Sequence, residues 1–164
     1  MNTVLFFSST GAVYETQAYT KVDIDKLVAD QGLQCLTSPD GQFDFWFSPA
    51  PRRCQRRVNR SATEILLATT SFTAKNVPLL RGSVVVATHD ADGDVDGLSW
   101  QQLDLLVLKS RSLTKRDDRA LDRRIARDER RQRRVVEAAR PTLVPKPVEA
   151  RPPHAHVPPT KRAA

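Results

Sequence analysis

The 164-residue chain is short of the residues from which many kinds of site are built. It has two cysteines, Cys35 and Cys54, and no Cys-x-x-Cys. That pattern excludes a disulfide framework and predicts two free thiols in a reduced, cytoplasmic setting. Its six glycines are scattered singly, so no glycine-rich loop is present to cradle phosphate. No apolar run approaches the roughly 20 residues that span a bilayer, so no membrane partner is expected. The N-terminal Met-Asn-Thr-Val-Leu-Phe-Phe has no basic segment before its apolar run and does not read as a secretion signal. Three histidines, His89, His154 and His156, have no partner within local spacing. Ser8, Ser9 and Ser48 lack the strand-turn-helix setting of a nucleophile elbow. These absences argue against an enzyme, and no cofactor or metal is called for.

Positive charge is abundant but unevenly placed. The net charge is +7. Residues 1–98 carry nine basic and eleven acidic side chains, residues 99–140 thirteen and seven, and residues 141–164 four and one. The basic excess therefore lies in the C-terminal 66 residues, which suggests an anionic partner for that part. The length allows one domain and an appendage.

Local patterns place the elements. Residues 3–8 and 12–18 read as two strands around a Ser9-Thr10-Gly11 turn. Asp23 is the expected N-cap of a helix over 24–31, with Ile24, Leu27 and Val28 on one face. Residues 33–36 form a possible strand before the turn Ser38-Pro39-Asp40-Gly41. Alternation puts Phe43, Phe45 and Phe47 on one face of a strand, with Asp44 and Trp46 on the other. Ser61-Ala-Thr-Glu64 matches a capping box and predicts a helix over 62–70. Residues 82–87 form the best strand, β-branched enough to be buried on both faces. Ser99 and Gln102 predict a second capping box and a helix from Trp100 to Arg111, with Trp100, Leu103, Leu106 and Val107 inward.

The segment Asp90–Gly97 resembles an EF-hand loop when started at Asp92, but position 12 is Leu103 instead of the bidentate Glu. It reads as a polar connection. Residues 115–140 contain no Gly or Pro and favour a long helix. Its apolar stripe of Leu113, Leu121, Ile125, Val136 and Ala139 is broken by Asp128 and Gln132, which predicts a solvated helix, marginal by itself. Residues 141–164 hold seven of the eleven prolines and no aromatic, the composition of a disordered tail.

The fold expected is α+β: a small mixed or antiparallel sheet of four or five strands with helices on one face, over residues 1–112. An Arg-rich helix is appended over 113–140, followed by the tail over 141–164. Two arginine clusters are the candidate nucleic-acid-binding residues. Arg52, Arg53, Arg56, Arg57 and Arg60 precede a helix N-terminus, a setting suited to phosphate. Arg123, Arg127, Arg130 and Arg134 share a helical face, and Trp46 is placed to stack on a base. The competing account is a solvated helix whose arginines pair with Asp117, Asp118, Asp122, Asp128 and Glu129.

Residues 43–108 also resemble a small phage-associated family of unknown function typical of actinobacteriophage genomes. The resemblance is carried by Asn59-x-x-Ala62-Thr63, Phe72, Leu80-x-Gly82-x-Val84-Val85, and Asp92-Gly93-Asp94 before Gly97-Leu98. Where that family often has Pro after the Asn, this chain has Arg60. The resemblance implies no reaction and no catalytic residues. It implies a phage accessory protein acting in the host cytoplasm. The arginine clusters, separately, point to a non-enzymatic protein that contacts nucleic acid through its basic helix, or alternatively to an adaptor that binds and modulates a host protein.

Overall fold

A computed structural model describes residues 2–28, 32–49 and 56–140. The predicted tail, Arg52, Arg53 and Cys54 lie outside them. Six strands and four helices follow in the order β1 (Thr3–Phe7), β2 (Val13–Gln17), α1 (Lys21–Val28), β3 (Gln34–Thr37), β4 (Asp44–Phe47), α2 (Arg60–Thr69), β5 (Val84–His89), β6 (Val95–Asp96), α3 (Trp100–Arg111) and α4 (Lys115–Ala138). The strands form one antiparallel sheet in the order β2-β1-β5-β4-β3. The two-residue β6 pairs with the end of β5 through Thr88 and His89. The fold is α+β, with one strand more than the upper expectation. The extra strand arises because Asp90–Asp94 is a hairpin turn: Asp90 Oδ1 accepts the N–H groups of Asp92 and Asp94, and Gly93 supplies the positive φ.

The central strand β5 is buried on both faces, as its run of valines predicts. Val84 and Val86 join the larger core with Phe7, Phe43, Phe45, Leu66, Leu106 and Leu121. Val85 and Ala87 join a second core with Val4, Ala18, Ile24 and Val28. Helices on one face holds for α2, α3 and α4. The other face is covered by α1, whose apolar Ile24, Leu27 and Val28 lie on the second core. Asp44 and Trp46 therefore point toward a covered face, and Asp44 is buried.

Three helix details differ from the local patterns. α1 starts at Lys21, because Thr20 and Asp23 bond reciprocally, each side chain accepting the other's N–H. The Tyr19 N–H, Thr20 hydroxyl and other donors at this turn hold the Asp23 carboxyl below the usual carboxylate range. α2 is capped by Asn59, not Ser61, and Glu64 takes the Arg60 guanidinium instead of closing a box. In α3 the Ser99/Gln102 box is present. However, Trp100, Val107 and Leu108 are 66%, 49% and 65% exposed, while Leu103, Leu105 and Leu106 face the core. The inward stripe is rotated from Trp100 and Val107 toward Leu105, the side on which α2 packs.

Candidate nucleic-acid interface

The Arg-rich segment folds as the predicted long helix, with Thr114 accepting the Asp117 N–H at its start. It is not a free appendage. Leu121 is fully buried in the larger core, and Leu113, Ala120 and Ile125 pack against the same cluster. Of the two polar positions in the stripe, Asp128 is met by a partner from the domain. Asp128 receives both terminal nitrogens of Arg81, at 2.8 and 2.6 Å. This pair is fork-to-carboxylate and largely shielded from water, the geometry in which an ion pair contributes most. Arg60 bonds Glu64 at 2.6 Å and also reaches Asp118 and Asp122. Those partners, Glu64 first, hold its guanidinium even more firmly protonated than usual. Arg124 turns inward and donates to the carbonyls of Ala74 and Val77.

This docking sorts the charges of α4. Four of the acids, Asp117, Asp118, Asp122 and Asp128, are engaged by the Thr114 cap, Arg60 or Arg81. Arg116, Arg119, Arg123, Arg127, Arg130 and Arg134 follow at steps of three and four residues and are all exposed. At 3.6 residues per turn they form one continuous outward row. Among the described residues none of the six pairs with a carboxylate, and Arg123 and Arg130 donate to carbonyls of their own helix. Glu137 is the one acid that falls toward that side, at the far end. The four predicted residues of α4 are thus brought together, and the row extends back by two arginines that the local reading left out.

The loop cluster separates. Arg52 and Arg53 fall outside the described residues. Arg56 and Arg57 are exposed and line a cleft of about 830 Å³ against the C-terminal half of α4, opposite Glu129, Arg133 and Arg140. Arg60, placed in the site by spacing, is part of the scaffold that seats α4. Trp46 is withdrawn as a base-stacking residue. It lies on the α1 face of the sheet with its indole N–H buried and Lys21 over its ring.

One constellation was missed from the sequence. His89 has a positioned partner: its Nδ1 lies 2.7 Å from Oδ2 of buried Asp44, whose Oδ1 accepts the Thr37 hydroxyl at 2.6 Å. Strand register makes this contact, because Asp44 opposes Ala87 and His89 follows two residues on, on the same face. Cys35 stands on the same face beside Thr37. Cys35 is exposed as a residue, but partial loss of hydration at its sulfur, with the Asp44 charge adding to it, pushes the thiol up to about 11. A thiol so placed is the reverse of an activated nucleophile. At pH 8 alkylation of Cys35 should run about a hundredfold slower in the folded chain than in denaturant, the two-unit rise from 9.0 converted to thiolate fraction. Peptide-resolved mass spectrometry separates it from Cys54, and equal rates would remove this reading.

No helix among the described residues is long and apolar enough to cross a membrane. Among the known families, curated proteins and solved structures compared with it, none matches this chain.

Proposed function

We propose that this is a non-enzymatic accessory protein whose α4 contacts nucleic acid through phosphates. The observation that carries the reading is the sorting of charge on α4, with six arginines outward and four of the acids held by the cap or the domain. The ion-paired solvated helix was the competing account, and it requires those acids to neutralise the arginines. Phosphate contacts position a protein without reading bases, so binding is expected to be largely sequence-independent. The setting, a phage-type protein in a host cytoplasm, is supported by the family resemblance.

The test is a fluorescence-anisotropy salt series on duplex DNA. With six phosphate contacts the slope of log K against log salt should be about −5.4. Replacing Arg123, Arg127, Arg130 and Arg134 with Gln should flatten it to about −1.8, since four contacts are removed. The fold should be unaffected, because these side chains are exposed and among the described residues none bonds to residues 2–112. Identical slopes for the two proteins would end the proposal.

One observation favours the alternative, an adaptor for a host protein. Trp100, Val107 and Leu108 form an exposed apolar stripe on α3. Retention of one defined host protein through nuclease treatment and a high-salt wash, lost in a Trp100→Ala/Leu108→Ala variant, would establish that reading instead.

A further inference from the structure

We infer that the α4 row selects double-stranded over single-stranded nucleic acid, an inference that rests on the phosphate-contact reading above. The row runs from Arg116 to Arg134 on one continuous helix. At 1.5 Å per residue it is about 27 Å long. Over that length a duplex carries about 16 phosphates, about eight on each of its strands. A row of fixed charges therefore meets about twice the charge density on a duplex, already ordered by base pairing. A flexible strand must be straightened along the row, and the lost entropy subtracts from its binding.

Single-strand binders offset that loss by stacking bases on aromatic side chains, typically about 1–3 kcal/mol per base. This interface has none to offer. From Leu113 to Arg140 there is no aromatic residue. Trp46 lies on the opposite face of the sheet, and Phe72 packs against the core. Tyr14 lies in the edge strand β2, stacked on Phe6, and Tyr19 lies in the connection from β2 to α1. Trp100 is exposed, but it begins α3 at the end away from the turn into α4. The outward row is guanidinium alone, chemistry suited to a phosphate lattice and not to unpaired bases.

The full chain is titrated against fluorescein-labelled 24-base-pair DNA, the corresponding RNA duplex, and 24-residue oligo-dT, each across a potassium chloride series. Both duplexes should bind at least tenfold more tightly than oligo-dT at low salt, and the DNA–RNA ratio identifies which duplex source is preferred. A variant with all six arginines replaced by Gln should lose the preference, with circular dichroism confirming its helix content. The wild-type comparison stands even if that variant does not fold. Oligo-dT binding as tightly as the duplexes overturns the duplex inference and leaves the phosphate reading intact. Absence of binding to all three overturns both.

Discussion

Asn59→Ala should lower stability by about 2–4 kcal/mol. Asn59 is 2% exposed and serves three elements at once. Its Oδ1 accepts the Ala62 N–H as the α2 cap. Its Nδ2 donates to the carbonyls of Phe7, Ser8 and Gly82, where β1 ends and the chain turns into β5. Its backbone N–H donates to the Leu80 carbonyl, and its own carbonyl accepts from Thr63. Losing the cap alone costs about 1 kcal/mol, and carbonyls left without a donor in a buried setting add about 1–3 kcal/mol. The expected fall in melting temperature is about 10 °C. Asn59→Asp separates the two roles. Aspartate caps as well as asparagine, yet it brings a carboxylate against three carbonyl oxygens, so it should be at least as destabilising as alanine. If Asn59→Asp melts within a degree or two of wild type, the cap is the whole role and the amide bonds contribute nothing.

The same residue shows where local reading stops. Ser61-x-x-Glu64 satisfied a capping pattern, and nothing within a few residues distinguished Asn59. Its decisive acceptors are 23 to 52 residues away. The resemblance motif singled out Asn59, Ala62, Thr63, Leu80 and Gly82, and these prove to be the parts of one junction. Strands were legible where alternation or a β-branched run dictates the face: Phe43, Phe45 and Phe47 share a face, and β5 is buried twice over. What alternation cannot supply is the cover. The Asp44/Trp46 side was open to a base until α1 was seen to close it. Likewise, Asp128 read as a break in an apolar stripe because Arg81, its partner, is 47 residues away. The outward arginine row was fully written in the three-and-four spacing back to Arg116. Its significance depended on where the acids went, and that is decided by Arg60 and Arg81 in the domain.

Leu121→Ala should release α4 while leaving the sheet in place. Leu121 is the one fully buried side chain of the helix. Truncating a buried leucine costs about 2–5 kcal/mol. The cost falls on one helix otherwise held by half-buried Ile125, Ala120 and a few ion pairs, of which the Arg60 pairs are partly exposed and so weak. In the wild type, limited trypsin digestion should spare Lys115 through Arg127 and cut first beyond Arg130. In the variant it should trim back to between Arg111 and Arg119. An unchanged digest would mean that Arg60, Arg81 and Arg124 seat the helix without an apolar anchor. A functional consequence follows from the charge sorting. Once α4 leaves the domain, Asp118, Asp122 and Asp128 lose Arg60 and Arg81 and become free to pair with arginines of their own helix. The helix also loses the packing that keeps so charged a sequence ordered. Duplex affinity and the steepness of its salt dependence should therefore both fall in Leu121→Ala, although no arginine has been changed. A variant that is trimmed by trypsin yet binds DNA with the wild-type slope would show that composition alone, and not the docked geometry, makes the interface.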